Sequence, residues 1–515
     1  MEEEKKISKN KTANRILINT IIIYAQKFST AALALVTTPL LLRVLGVEDY
    51  GVYTLTIGFV GMLTFFTWSL SASTQRYIAV TLGEKNYGKL AQVLSSSLLI
   101  HLVYGIIIIA VIEVINLFYV NTLLDIPESR QNTIHYILTF VAGISFFNII
   151  AIPFVGSLRA TEDFKSIAII GFVESSLKLI MAFLLLWFSG DKLILFSALM
   201  FLVSIIIFLA YFFRVMKAKK RIYKKFVKPN SVLIKEMLSF ISWSFLGALA
   251  TMSRNQGVTV LINVFFGVVA NAAYGIAQQI NNAVNILAQG VTTSMTPVLM
   301  KAAGENNNEK MLYMMRTMAK LSFFSISIFS IPTLFEMNYI LELWLKVVPE
   351  GSIIFSQLII VLVLVVLLSS GMQNVFIAIG KVKEYNIYTS FFLVINLPLS
   401  YILFKIGFSS YSIITVGIFL EIITLNIRLL LLKKYLNYKI SDYFSEITQI
   451  ILPTLVISVL LFFWMYVEIP KFIHLIISFI SSLLIAPVII YKFSLDSFQK
   501  EYVSNILKKM KFIKE

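Results

Sequence analysis

Three basic side chains fall near the middles of long apolar segments, at the depth where a bilayer would surround them. They are Lys27, Lys178 and Arg254. A charge at the centre of a membrane costs at least about 2.5–3.5 kcal/mol, so it must face water or a partner. Arginine grips a phosphate with two parallel hydrogen bonds, and lysine supplies a point charge. The sequence therefore predicts a cavity whose cations bind an anionic substrate.

Lys178 also has a second interpretation. Glu174 lies one helical turn before it, in the order that favours an ion pair along one helix. Lys27 and Arg254 have no carboxylate three or four residues away. We leave both roles open for Lys178 and favour the cavity role over structural pairing for the other two.

A polar stripe follows one face of the eighth predicted helix. Successive members are three or four residues apart, and those assigned to the cavity wall are Gln278, Asn282, Asn285 and Gln289. Association of two transmembrane helices needs only one or two polar contacts of about 1 kcal/mol each. The length of the stripe favours a water-filled cavity over structural hydrogen bonding, which is the alternative.

Three carboxylates also fall inside predicted spans, namely Glu113, Glu336 and Glu421. Each is a candidate for coupling transport to a proton or sodium ion, and an ion pair with a distant helix is the alternative. The chain has no Gly-rich phosphate loop, no cysteine and three scattered histidines. We therefore expect no catalytic residue, no metal and no cofactor, and hence a protein that is not an enzyme.

Transmembrane helices must position all these residues. Of 515 residues 58% are hydrophobic, which is too apolar for a protein surrounded by water. A helix needs about 20 apolar residues to cross a bilayer. The sequence predicts an all-α polytopic membrane protein of about fourteen spans, at residues 16–42, 52–74, 90–118, 133–156, 166–188, 191–213, 238–266, 272–297, 320–340, 354–378, 386–404, 411–432, 447–467 and 472–492.

The formal charge of +17 gives these spans an orientation. With the N-terminus inside, 35 of the 44 Lys and Arg lie on the inner side and six on the outer side. Such a bias marks cytoplasmic loops and argues against nucleic acid as the partner of the basic residues. We expect a multi-pass protein of the inner membrane with both termini in the cytoplasm.

The chain also contains an internal repeat. Shifted by 221 residues, Gly46 falls on Gly267, Tyr53 on Tyr274, and the segment 83–86 on 304–307. The shift spans six helices, so the two copies have the same orientation, and lobes of this kind alternate access by rocking. The predicted parts are an N-terminal lobe (1–213), a basic cytoplasmic linker (214–237), a C-terminal lobe (238–432), helices 13 and 14 (433–492) and a basic cytoplasmic tail (493–515).

Several short motifs resemble those of bacterial polysaccharide flippases, in the multidrug/oligosaccharidyl-lipid/polysaccharide exporter superfamily. The matching segments are 39–46, 49–53, 75–78, 263–267, 271–277, and 343–345 with Pro349. The resemblance implies two lobes around a cationic cavity, with a groove for a lipid tail at helices 13 and 14. It also implies that Arg254 matches a basic position of the seventh helix in that family.

The resemblance further implies a function and partners. The expected substrate is a polyprenyl-diphosphate-linked oligosaccharide, moved from the cytoplasmic to the outer leaflet for O-antigen, capsule or a similar surface polysaccharide. We expect a monomer that contacts membrane lipids and works beside the polysaccharide polymerase and chain-length machinery. The alternatives are a multidrug-type cation exporter of the same superfamily and a membrane enzyme of polysaccharide assembly, such as a polymerase or acyltransferase.

Overall fold

The structure is a computed structural model, and it describes residues 2–46, 48–54, 56, 66–118, 130–218, 227–345, 347–464, 467, 469–497 and 499–500. Within these ranges the chain folds into helices and contains no strand. The middle of the predicted basic linker (219–226) and most of the predicted tail (501–515) lie outside the described residues.

Fourteen long helices follow one another in the part of the chain that the structure describes. They are α1 (Glu2–Leu45), α2 (Phe66–Gly83), α3 (Tyr87–Phe118), α4 (Gln131–Ala160), α5 (Phe164–Leu184), α6 (Lys192–Ala218), α7 (231–266), α8 (268–304), α9 (Asn308–Phe335), α10 (Ser352–Leu368 with Met372–Ala378), α11 (Val382–Lys405), α12 (Ser412–Leu436), α13 (Ile440–Trp464) and α14 (Lys471–Phe493). A short helix, Met337–Leu345, follows α9.

Eleven helices in the described ranges are long and apolar enough to cross a membrane, or twelve if the bent pair in α10 is one span. One of the eleven is the continuous helix Ser231–Gly304, with 74 residues. At 1.5 Å per residue it would be about 110 Å long, more than three times the thickness of a bilayer core. It breaks at Gly267, so we count α7 and α8 as two spans. That gives thirteen spans in the described ranges; α2 is not among them, and part of its predicted span lies outside the described residues.

Backbone geometry confirms the repeat that the sequence predicts. Gly46 and Gly267, which are 221 positions apart, both have positive φ angles, of 84° and 79°. Lys85 and Asn306, separated by the same interval, have φ angles of 56° and 54°. A positive φ is uncommon outside glycine, so these matched positions reflect the same turns in both lobes.

Side-chain contacts repeat at the same interval. Lys89 pairs with Glu84 at 3.0 Å, and Lys310 pairs with Glu305 at 2.9 Å. In both pairs the glutamate follows the second helix of its lobe and the lysine lies in the first turn of the third helix. The two lobes are therefore copies of one six-helix unit, and the fold is the predicted pair of pseudo-symmetric lobes plus two helices.

The packing of the lobes differs between the two sides of the bundle. We call the side where α1 begins the basic side and the other the opposite side. The largest core cluster joins the lobes near the basic side, where Ile78 of α2 and Leu299 of α8 are both fully buried. Towards the opposite side each lobe has its own core, around Ile137 in the first and Phe355 in the second. The lobes are thus held together on the basic side.

Several spans differ from their predicted bounds. The second was predicted at 52–74, whereas α2 runs from Phe66 to Gly83, and residues 57–65 lie outside the described residues. The tenth was predicted as one segment, 354–378, but α10 bends by 42° before Met372. Gly371 has a φ of 91° there, which hydropathy alone does not reveal. The ninth was predicted at 320–340, whereas α9 begins at Asn308 and ends at Phe335. Helices α13 and α14 pack against α9 through a core that includes Phe324, Ile457 and Ala486.

Candidate functional site

Two matched glycines bring the lobes together at the basic side. A methyl group added to Gly304 would meet the carbonyl oxygen of Val80 and the amide nitrogen of Glu84. A methyl group added to Gly83 would meet the carbonyl oxygen of Lys301 and the Cα atom of Gly304. Because these are backbone atoms, they cannot rotate aside as a flexible side chain can. Glycine at both positions is what allows α2 and α8 to cross this closely.

An ion-pair cluster lies beside this crossing. The Glu162 carboxylate is buried and accepts from Lys301 Nζ of α8 at 2.5 Å. Its other oxygen forms an ion pair with Arg15 Nε of α1 at 2.6 Å. Because Arg15 and Glu162 belong to the first lobe and Lys301 to the second, this cluster holds the two lobes together. Arg76 adds another contact between the lobes by donating from Nε to the Ile377 carbonyl.

Helices α1 and α8 cross next, deeper in the bundle. The hydroxyls of Thr20 and Ser294 are 2.8 Å apart, and Tyr24 donates to the Leu287 carbonyl. One turn further along α1, Lys27 Nζ donates to Gln289 Oε1 at 2.7 Å. One of the predicted cations thus contacts one end of the predicted polar stripe across the boundary between lobes.

The rest of the stripe lies beyond this crossing, towards the opposite side. Gln278 donates to Tyr274 Oη, and Asn281 donates to Gln278 Oε1 at 3.1 Å. Asn285 then donates to Asn281 Oδ1 at 2.8 Å. Asn282, on the same face as Lys27's partner, is exposed and makes no hydrogen bond to any described residue. We call the space between the lobes on this side the crevice.

Arg254 of α7 lies in the second lobe, near the start of the polar stripe. It is partly exposed and lies within electrostatic range of Tyr274, the residue that begins the hydrogen-bonded chain along α8. Neither Arg254 nor Lys27 has a carboxylate within 4 Å among the described residues. These two charges are therefore available to an anion.

A third cation, Arg159, was not predicted. It lies in the last turn of α4, is partly buried, and lies within electrostatic range of Lys27. It makes no ion pair with any residue that the structure describes. From the sequence it was counted among the loop cations, because the predicted span ended at residue 156. Its place near Lys27 depends on how separate helices are arranged within the first lobe.

Lys178 pairs with Glu174 of the same helix, with Nζ and Oε1 2.6 Å apart. Both side chains are exposed, by 46% and 37%. The arrangement matches the structural interpretation of this lysine. A carboxylate already neutralises its charge, so Lys178 is a weaker candidate for anion binding than Lys27 or Arg254.

The three candidate coupling residues have different surroundings. Glu113 accepts from Asn116 at 3.1 Å, and Asn116 in turn contacts His135 at 2.8 Å, so this group joins α3 to α4. Glu336, just after α9, is buried and contacts His474 and Ser478 of α14. Each of these two carboxylates contacts helices on one side of the crevice, so neither of them joins the two lobes.

Glu421 lies inside the second lobe. It pairs with Arg428 on the same helix, and both are largely buried. Arg428 also donates to Ser369 Oγ and lies over the Tyr385 ring, so one guanidinium ties α12 to α10 and α11. The surroundings of Glu421 are those of a structural ion pair.

Replacing Glu421 with glutamine is expected to destabilise the protein strongly. The change leaves the buried Arg428 without its carboxylate, and breaking a buried pair in this way costs about 3–5 kcal/mol. Thermal unfolding of the purified protein in detergent measures the loss. Glu342→Gln is the matched control, because Glu342 is 43% exposed and 3.3 Å from Lys471, and exposed pairs contribute about 0–1 kcal/mol. Equal melting temperatures for the two variants would contradict the structural role.

The two lobes and the core that they share on the basic side form a fold that is also found in solved structures of membrane transporters. A MATE structure in the bent conformation is 15% identical with a TM-score of 0.72, covering 82% of this chain and 96% of that one. An outward-facing multidrug resistance MATE transporter is 15% identical with a TM-score of 0.67, covering 82% and 94%. A transporter of the same superfamily from Pyrococcus furiosus, with a binding pocket described as having reverse polarity, is 16% identical with a TM-score of 0.66, covering 82% and 95%.

Comparison of the sequence with models of protein families shows the family of this chain. The model of the polysaccharide biosynthesis protein family matches residues 16–303, which is more than half of the chain. The chain belongs to this family. No curated protein matches the sequence. The match ends at the close of α8, so it covers the first lobe and both helices that carry Arg254 and the polar stripe.

Proposed function

We propose that the protein flips a polyprenyl-diphosphate-linked oligosaccharide from the cytoplasmic to the outer leaflet of the inner membrane, for the synthesis of a surface polysaccharide. The observation that carries the proposal is the charge of the crevice. Lys27, Arg159 and Arg254 are basic and have no carboxylate within ion-pair distance among the described residues. A diphosphate needs such charges, whereas a cationic drug would need acidic ones.

The distribution of loop charges supplies the direction. We take the basic side as cytoplasmic, because it carries 35 of the 44 Lys and Arg. The crossing of Gly83 and Gly304 and the cluster around Glu162 then close the cytoplasmic side. In this orientation the crevice opens outwards, and the structure represents the state that releases the substrate.

Transport in this proposal is a rocking of the two lobes. When the cytoplasmic contacts separate, Lys27 and Arg159 become accessible to a diphosphate at the inner leaflet. The saccharide then lies along the stripe, where Asn282 offers an unpaired amide to sugar hydroxyls. When the contacts form again, the diphosphate can pass to Arg254, which lies nearer the outer end of the crevice. Because the charges bind but do not react, no chemical step is required.

A reconstituted assay tests the proposal. Vesicles containing the purified protein are loaded with a fluorescent polyprenyl-diphosphate-linked saccharide, and an impermeant quencher reports its movement between leaflets. We expect the diphosphate-linked saccharide to move between leaflets at least about tenfold faster than in protein-free vesicles. A neutral polyprenyl-linked saccharide should not be transported. Imposed proton or sodium gradients identify the coupling ion. Transport of a quaternary ammonium drug, with the diphosphate lipid left unmoved, would instead establish a multidrug exporter.

A further inference from the structure

A second polar cavity lies away from the crevice. It has a volume of about 330 Å³ and is enclosed by the basic-side ends of α9 and α13 and the turn after α14. Its charged walls are formed by Arg316, Lys320, Asp442, Glu446 and Asp496. The proposed transport cycle uses none of them, so the cavity calls for its own explanation.

Lys320 shows what the cavity can bind. Its side chain is only 9% exposed, and Nζ donates to Gln449 Oε1 at 2.7 Å and to the Ser494 carbonyl at 3.3 Å. Both acceptors are neutral, and an ammonium has three hydrogens to donate. Glu446 and Asp496 lie within electrostatic range of Lys320 but form no ion pair with it, and Glu446 is already paired with Arg316 at 2.8 Å. A buried positive charge with one donor left over is a binding point for an anion.

The opposite charge lines the same cavity. Asp442 is exposed and has no cationic partner within the described ranges. Asp496 accepts from Tyr313 Oη at 3.3 Å and from the Gln499 amide, both of which are neutral donors. The cavity therefore contains a buried ammonium together with two carboxylates that form no ion pair among the described residues. Such an arrangement suits a ligand that carries a phosphate next to an ammonium group.

The position of the cavity indicates where the ligand comes from. It lies at the ends of three membrane-spanning helices, at the level of lipid headgroups. Farther into the membrane, α13 and α14 present apolar side chains outwards, including Leu452 at 53% and Val488 at 67% exposure. Acyl chains can pack along this surface while the headgroup enters the cavity.

We propose that this cavity binds the headgroup of an aminophospholipid such as phosphatidylethanolamine. The phosphate contacts Lys320 and Arg316, and the primary ammonium contacts Asp442 and Asp496. A lipid bound there fills the polar gap between the second lobe and the α13–α14 pair. This site is separate from the flippase crevice, so its failure would leave the proposed transport function untouched.

Lipid binding to the delipidated full-length protein tests the site. Native mass spectrometry in detergent measures the retention of phosphatidylethanolamine, phosphatidylcholine and phosphatidylglycerol with identical acyl chains. We expect one tightly retained phosphatidylethanolamine, bound at least about tenfold more tightly than the other two, because neither of them has a primary ammonium. Soluble glycerophosphoethanolamine is added as a competitor, and displacement at equal concentration would assign the site to a free metabolite rather than a lipid.

Variants separate the two ends of the headgroup. Lys320→Gln should weaken all three lipids by about tenfold or more, since it removes the contact with phosphate. Asp442→Asn should abolish the preference for ethanolamine while leaving phospholipid binding in place, and this exposed position avoids a folding defect. Lys310→Gln is the control, because Lys310 pairs with Glu305 on the surface at 2.9 Å. Equal retention of the three lipids by the natural protein, or an unchanged preference in Asp442→Asn, would overturn the proposal.

Discussion

Replacing Gly304 with alanine is expected to weaken closure of the basic side, which we propose to face the cytoplasm, and to slow transport. The added methyl group would meet backbone atoms of Val80 and Glu84 in the other lobe, which can make room only by separating the lobes. Overpacking of this kind costs about 1–3 kcal/mol. The same energy shifts an equilibrium between two states by about 5- to 150-fold, here towards the inward-open state.

Labelling of single cysteines measures this shift. The natural chain has no cysteine, so each introduced thiol reports one position. A thiol placed beside Lys301 should react faster with an aqueous reagent from the cytoplasmic side in Gly304→Ala than in the parent. Gly88→Ala is the matched control, because Gly88 is exposed and only the Asn86 side chain comes near its added methyl group, at 3.7 Å. If both variants behave like the parent, the glycine crossing is not the point of closure.

Removing the crevice cations is expected to abolish transport with little change in protein level. Lys27→Gln and Arg254→Gln each remove a charged donor from the proposed diphosphate site, and a hydrogen bond to a charged group contributes about 1.5–3 kcal/mol. Each variant should therefore lower transport by at least about tenfold, and the double variant should lower it further. Arg254→Lys should recover part of the transport rate, because lysine restores the charge but cannot form the bidentate hydrogen bonds of arginine.

The reconstituted assay and the amount of surface polysaccharide in cells both report this effect. Lys178→Gln is the comparison within the membrane, since Lys178 is already paired with Glu174 and should tolerate the change. Lys310→Gln is the comparison outside it. Normal polysaccharide in both Lys27→Gln and Arg254→Gln would contradict a role for these cations in substrate binding.

Much of the architecture could be predicted because its causes are local or periodic. The basic loops and the lengths of the apolar segments are visible in composition, and they predicted fourteen spans. The interval of 221 residues relied on Gly, Tyr, Glu, Asn and Lys, whose positions are rarely matched by chance in an apolar chain. The matching φ angles of Gly46 and Gly267 show that the repeated letters reflect a repeated backbone.

The contacts between lobes could not be predicted, because they depend on how distant helices meet. Nothing near Glu162 in the sequence indicates that Lys301 lies 2.5 Å away. The position of Arg159 near Lys27 could not be predicted either, because Lys27 is on another helix. Within one helix the sequence was more informative, as the Glu174–Lys178 pair illustrates. The roles assigned to the crevice cations, the stripe and the three candidate coupling carboxylates stay predictions.

The account depends most on a water-filled, positively charged crevice between the lobes. Asn282→Cys in the naturally cysteine-free chain tests it, with anionic and cationic membrane-impermeant thiol reagents of equal size added from outside. We predict rapid modification, faster with the anionic reagent and slowed by the polyprenyl-diphosphate-linked saccharide, while Leu484→Cys on the lipid-exposed surface of α14 stays unmodified. Modification of Asn282→Cys no faster than that of Leu484→Cys, or a preference for the cationic reagent, would contradict the account.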